Sequence, residues 1–259
     1  MRILMICPIP LEFTTCRSVF ALRDVPDVLG CRSAKGTVSG MDIAALESGP
    51  AKARSAAGTV AGIGHFHPDL VLDTGTCGAL DRGLIVNAIV FAQSCVEYDI
   101  SGTGLPHHII PEMKLPSAMS LLPAKTGDSL VRAAIGIGKD LGFHVRSGTQ
   151  ACGEFFIQSS QIREPLAMVT GALACNWETA GVFVASLRAK VPGLSIRAVS
   201  DHGDEDSLKD FKKNARKSSQ ELYRYIRGLV EAGWISDFRA HWLKLSPGEV
   251  EKMPSSVLP

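Results

Sequence analysis

A chain of 259 residues, 46% hydrophobic and 20% charged, is long enough to bury one sizeable core and sits at the upper end of what a single domain holds. The formal net charge of +1 lacks the basic surplus that neutralises a phosphate backbone, which excludes nucleic acid as the expected partner and points to a small molecule. Seven cysteines (Cys7, Cys16, Cys31, Cys77, Cys95, Cys152 and Cys175) form no CxxC pair and are odd in number, so reduced thiols are expected rather than disulfides or a zinc site.

The chain opens on an apolar stretch, Arg2 to Cys7, that Pro8 and Pro10 interrupt and Glu12 follows. No secretory leader is expected from it, no apolar run reaches membrane-spanning length, and a cytoplasmic location follows. Short apolar, β-branched runs at Arg2 to Cys7, Leu70 to Asp73, Ala88 to Ala92, Ala167 to Val169 and Ser195 to Val199 have strand length and are flanked by Gly, Pro, Asp or Asn. Between them Ala51 to His65, Asp128 to Leu141 and Glu178 to Lys190 carry apolar positions at helical spacing. A charged stretch from Asp204 to Lys217 leads into a helix ending near Ala232. The expected architecture is one α/β domain, a central twisted mixed β-sheet flanked by helices, over residues 1–232, with 233–259 as an appendage packed on it.

Several segments could carry chemistry. Leu70-Val-Leu-Asp-Thr-Gly-Thr-Cys-Gly-Ala-Leu80 reads as a buried strand ending in a loop of small residues, where Gly78 would let a ligand approach and the Thr74 and Thr76 hydroxyls could bond it. Arg197-Ala-Val-Ser-Asp201 delivers a hydroxyl and a carboxylate to a strand end; there Asp201 could be a general acid with a raised pKa or a simple turn cap. Glu178 opens a helical pattern, where it could clamp vicinal hydroxyls or merely favour the helix dipole. Phe155 and Phe156 could offer a face to a flat base or belong to the core. Taken locally, Glu12 is a solvated loop acid. His65 with His67, and His107 with His108, complete no metal set, so surface histidines and no metal are expected.

The five segments occur in an order and spacing that resembles the 5′-methylthioadenosine/S-adenosylhomocysteine nucleosidases of the purine-nucleoside/uridine phosphorylase superfamily. Glu47-Ser-Gly-Pro-Ala-Lys52, Pro68-Asp69 and the loop Thr74 to Gly78 resemble the first half of that family, and Gly153 to Ile157, Trp177 to Ala180 and Arg197 to Asp201 the second. The match runs from about Met1 to Phe211. The resemblance implies a nucleoside phosphorylase-like fold, a homodimer, no cofactor, and hydrolysis of a purine nucleoside to free base and ribosyl product. By position it makes Asp201 the donor of a proton to purine N7, with Ser200 orienting it, and Glu12 the base that activates water, with Arg197 helping to hold that water. It makes Glu178 the ribose clamp and Phe156 the stacking partner of the base. The Ile157 backbone meets the base edge, and Ile9, Thr76, Gly78 and Trp177 complete the substrate contacts.

Hydrolase or phosphorylase turns on the anion site. Phosphorylases of the superfamily carry an N-terminal Gly-Asp-Pro turn and an arginine leading into the Thr-Gly loop, because phosphate needs fixed donors and charge. This chain reads Pro8-Ile-Pro-Leu-Glu12 and Leu72-Asp73 at those places, which favours water. Two departures bear on the substrate. Asn176-Trp-Glu178 stands where the family has Glu-Met-Glu, and the aromatic near the 5′ substituent falls at Leu208 or Phe211. A futalosine-type hydrolase, a phosphorylase and a non-catalytic nucleoside-binding protein are the competing readings.

Overall fold

The computed structural model describes residues 1–99, 118–120 and 127–242. Among these, ten strands and seven helices form a mixed α/β layer structure. In chain order they are β1 (Arg2–Cys7), α1 (Pro10–Val19), β2 (Arg23–Val28), β3 (Cys31–Val38), β4 (Met41–Glu47), α2 (Lys52–Phe66), β5 (Leu70–Ala79), β6 (Ile89–Glu97) and β7 (Ala118–Ser120). There follow α3 (Gly127–Asp140), β8 (Val145–Cys152), α4 (Ser160–Thr170), β9 (Ala174–Asn176), α5 (Thr179–Arg188), β10 (Gly193–Asp201), α6 (Ser207–Glu231) and α7 (Trp234–Trp242).

The sheet runs β10-β6-β8-β9-β5-β1-β4-β3-β2, and β10 also pairs with β5, so β5, β9, β8, β6 and β10 close on themselves while β1 to β4 extend outward as an open wing. β5 is the hinge of this arrangement. Its first residues pair in parallel with β1, its last two pair antiparallel with β9, and its opposite edge pairs in parallel with β10. Both β1 and β10 therefore aim their carboxyl ends where β5 ends, which is where ligands sit in open α/β sheets.

Ile3, Met5, Leu70, Leu72, Leu194 and Ile196 are fully buried on these strands, which explains their continuous rather than alternating apolarity. Helix α1 covers this surface with Phe13 and Cys16, and full burial of a side chain like Phe13 contributes roughly 2 kcal/mol. Helix α6 packs beside α1 through Leu222, Tyr223 and Ile226. Trp234 of α7 stacks on Phe238 with ring centroids 5.7 Å apart and meets Phe91 edge-on at 5.5 Å. Most of the expected C-terminal appendage, and His107 and His108, lie outside the described residues.

Three expectations are corrected. Ala167 to Val169 is not a strand but part of α4, whose Ile162, Leu166 and Thr170 recur at helical spacing. Ser159 caps it by accepting from the Gln161 amide at 3.2 Å, and Gly171 (φ +62°) ends it. The small-residue segment after Asp73 is not a loop, because β5 continues to Ala79 through its pairing with β10. The Thr74 hydroxyl is turned into the core, donating to the Ile6 carbonyl at 2.7 Å and pairing with the Tyr223 hydroxyl at 3.0 Å, so it is not available to a ligand.

Candidate active site

A cavity of about 370 Å³ opens where β1, β5 and β10 end. Glu12, Glu178, Arg197, Ser200, Asp201, Phe156, Ile157, Trp177, Thr76, Gly78 and Ile9 all line it, although they come from positions as far apart as 9 and 201. Leu208 and Phe211, the two alternatives for one aromatic position, both line it from the first turns of α6.

Glu12 is not a solvated loop acid. Pro10 occupies the start of α1, where its missing N–H costs nothing, and the helix turn places Glu12 on the buried side at 2% exposure. Its Oε1 accepts from the Thr76 amide at 2.7 Å and the Thr76 hydroxyl at 3.0 Å, and its Oε2 faces the Ile9 amide at 3.3 Å. Gly75 (φ +136°) passes so close that an added Cβ would lie 3.0 Å from both carboxylate oxygens. Burial raises the Glu12 pKa from 4.5 to about 7, against the pull of Arg197 and the Thr76 amide.

Asp201 ends β10 on the other wall. Ser200 donates to its Oδ2 at 2.8 Å and the Gly203 amide to its Oδ1 at 3.1 Å, so it both faces the cavity and caps the turn. Burial again raises its pKa, opposed by the hydrogen bonds from Ser200 and Gly203. Gly78 leaves room for this carboxylate, since a Cβ there would lie 3.0 Å from Oδ1.

Glu178 precedes α5, where its Oε1 accepts from the Ala51 amide at 3.2 Å. Ala51 delivers that amide from a backbone of φ +81° and ψ 157°, a conformation other residues leave to glycine. The Glu178 Oε2 pairs with Arg197 Nη1 at 3.0 Å, and burial raises the Glu178 pKa despite this partner. Asn176, where the resembling family has an acid, gives its Oδ1 to the amides of Glu178 and Thr179 at 3.0 and 2.9 Å and so fastens the start of α5. The base-sized end of the cavity is framed by Phe156 and Trp177, edge to face at 6.0 Å. Tyr98 holds the segment before Phe156 by donating to the carbonyls of Gly153 and Phe155.

Asp73 was not singled out in the sequence as a functional side chain. It is fully buried and holds Arg197 through Nε at 3.1 Å and Nη2 at 2.6 Å. Its only sequence signal is a charge inside an otherwise apolar strand. Arg197 thereby stands between Asp73 and Glu178; burial pulls its pKa down, but the two carboxylates outweigh that and hold it above the ordinary arginine value. His65 and His67 are exposed, and among the described residues no three His, Cys, Asp or Glu side chains are grouped to hold a metal ion.

The fold and the cavity define an α/β protein with three buried carboxyl groups, those of Glu12, Glu178 and Asp201, around a cavity at converging strand ends. The family model of the phosphorylase superfamily matches residues 2–231, and the chain belongs to that superfamily. A curated relative, the 5′-methylthioadenosine/S-adenosylhomocysteine nucleosidase of Glaesserella parasuis, is 29% identical over 202 residues, covering 75% of this chain and 84% of the relative. Two Helicobacter pylori crystal structures share the fold. One is a 5′-methylthioadenosine/S-adenosylhomocysteine nucleosidase (TM-score 0.77, 23% identity, 90% of this chain and 98% of that one). The other is a futalosine hydrolase (TM-score 0.76, 24% identity, the same coverage).

Proposed function

We propose that the chain hydrolyses the N-glycosidic bond of a purine nucleoside of the 5′-methylthioadenosine/S-adenosylhomocysteine type to free base and ribosyl product. The observation that carries this reading is the pair Glu12 and Asp201, two buried carboxyl groups in different hydrogen-bonding environments on one cavity. Cleavage of a glycosidic bond to nitrogen builds positive charge on the sugar and negative charge on the leaving base, and two carboxyl groups can serve both ends.

Asp201 in its protonated form gives its proton to purine N7 as the C1′–N9 bond breaks. Glu12 takes a proton from a water whose oxygen bonds to C1′ on the opposite face. Solvent returns the proton from Glu12 to Asp201 for the next cycle. Glu178 accepts hydrogen bonds from the ribose hydroxyls, Phe156 and Trp177 hold the base, and Ile9, Leu208 and Phe211 supply an apolar surface for the 5′ group. Water is favoured over phosphate because the Glu12 carboxylate already occupies the Thr76 and Ile9 donors that an external oxyanion would use.

We also propose a homodimer in a reducing compartment, the cytoplasm. Exposed Leu29 and Val60, beside Ala56, Ala57, Val184 and Ala185, form an apolar hollow on the α2 and α5 side. The seven cysteines are all free, as a reducing compartment leaves them. No described helix is long and apolar enough to cross a membrane.

The deciding assay incubates the protein with methylthioadenosine, adenosylhomocysteine, adenosine, inosine and futalosine, with and without phosphate, and identifies the sugar product. Free ribosyl product formed without phosphate supports the reading. Strict dependence on phosphate contradicts it, and cleavage of futalosine alone moves the substrate to the futalosine class.

A further inference from the structure

We propose that Asp73 is a positioning residue that sets the choice of nucleophile: by holding Arg197 from behind, it denies the cavity a cation that could receive an oxyanion. This rests on the hydrolytic reading of the site and deepens it.

The argument is one of donors and charge. Among the described residues, Arg197 is the one guanidinium on the wall of the cavity. An arginine at a strand end beside a polar cavity would ordinarily be an anion receptor, since its fork matches phosphate in two-point geometry. Here the fork faces the wrong way for that. Nε and Nη2 grip the two oxygens of Asp73, and Nη1 is shared between the Thr76 carbonyl at 3.0 Å and Glu178 at 3.0 Å. All three guanidinium nitrogens are engaged by protein acceptors, and no two-point edge is left.

Asp73 is itself fixed. Thr179 and Ser195 donate to its Oδ2 at 2.6 and 2.7 Å, so the fully buried carboxylate is fixed and cannot rotate away from the arginine. The charge balance has the same consequence. Glu12 and Glu178 line the cavity and Asp73 stands behind it, against the single charge of Arg197, with Asp201 protonated in the reactive form. A phosphate dianion entering beside Glu12 would meet an excess of carboxylates and an arginine already engaged by protein acceptors, whereas neutral water carries no such penalty.

Neutralising Asp73 restores to Arg197 the share of charge it now gives up. Two changes are expected in Asp73→Asn. Inorganic phosphate, expected to leave the parent unaffected at constant ionic strength, inhibits nucleoside cleavage by the variant at concentrations about tenfold or more below any that affect the parent. The acid limb of kcat/KM also moves to lower pH. Glu12 faces Thr76 of β5, Glu178 before α5, Arg197 of β10 and Tyr223 of α6, and the charge that Arg197 no longer shares with Asp73 makes its ionisation easier. A merely structural role for Asp73 would lower turnover while moving neither quantity.

The experiment measures cleavage of methylthioadenosine by parent and Asp73→Asn across a range of phosphate concentrations, with chloride holding ionic strength, and repeats it across pH. Parent activity that is absent or that requires phosphate means the hydrolytic reading has failed. A phosphate-independent parent with an equally insensitive variant and an unshifted limb overturns the Asp73 inference alone. Because Asp73 is fully buried, thermal melting of the parent with and without phosphate is measured as well, so that the inference stays exposed if the variant does not fold. No phosphate-induced rise in the parent's Tm, beyond that of chloride at equal ionic strength, is the expected result; such a rise overturns it.

Discussion

The Glu12 carboxylate lies 2.7 Å from the backbone nitrogen of Thr76, across the gap between α1 and β5. A carboxyl side chain on the first turn of a helix thereby satisfies an amide in the second half of a largely buried strand, and a second amide, that of Ile9, faces its other oxygen. Burial of the carboxylate outweighs these hydrogen bonds and the pull of Arg197, which is why its pKa is pushed up to about 7 rather than held low.

That pKa gives the reaction an acid limb. A base must be ionised to take a proton from water, so kcat/KM should climb as pH rises through about 7 and level off above it. Rates measured from pH 5 to 9 with methylthioadenosine check this. A profile that is flat between pH 5 and 7 would separate Glu12 from the base role.

Asp201→Asn should lower turnover by roughly two orders of magnitude or more while changing substrate affinity only a few-fold, because proton donation to the leaving base matters chiefly in the transition state. The asparagine oxygen can still accept from the Gly203 amide while its NH2 donates to the Ser200 hydroxyl, so folding is expected to persist. Single-turnover rates and equilibrium binding on the same variant make the comparison, and near-normal turnover removes Asp201 from the acid role.

Gly78→Ala places a methyl carbon 3.0 Å from Asp201 Oδ1 and 3.3 Å from the Cys175 sulfur. Ser200 and Gly203 hold the carboxylate from its far side, so it must move by a few tenths of an ångström or more. Turnover should fall by about tenfold or more, because misplacement of a reacting group by even 1 Å is costly. A kcat within a factor of about two of the parent would show that the acid has room to spare.

The strands β1, β5, β6 and β10 and the helices α2, α3, α5 and α6 were legible because their apolar residues repeat with one clear period. The wing from β2 to β4 was not. Arg23, Asp24 and Asp27 give β2 the look of a surface loop, and the turns Leu29-Gly30 and Ser39-Gly40, all four with positive φ, are the main local sign of hairpins. Helix α1 was hidden by Pro10, which reads as a breaker unless it is placed at the first helical position. Ala167 to Val169 was taken for a strand because three apolar residues in a row carry no period of their own.

At the site, local reading gave each residue an ordinary alternative, and only the order of the segments joined them. Asp73 escaped even that, since nothing in Leu70 to Ala79 says that its partner is a residue of β10 more than a hundred positions away. Nor did the change to Asn176 announce itself as a fastening for α5.

Glu12→Gln tests the central claim most directly. It keeps the size and one acceptor of the side chain and removes its basicity. Stability should change in a pH-dependent way. The folded-state pKa is raised, from 4.5 to about 7, so the contribution of Glu12 is present below pH 4.5 and is lost as pH rises through about 7. The glutamine variant should therefore lose less stability than the parent between pH 5 and 8. The measurement is the single-turnover rate of methylthioadenosine cleavage by Glu12→Gln at pH 8, with nucleoside binding shown on the same sample. The account predicts binding close to that of the parent and a rate lower by roughly two orders of magnitude or more. A rate within a few-fold of the parent, in a folded and nucleoside-binding variant, would contradict it.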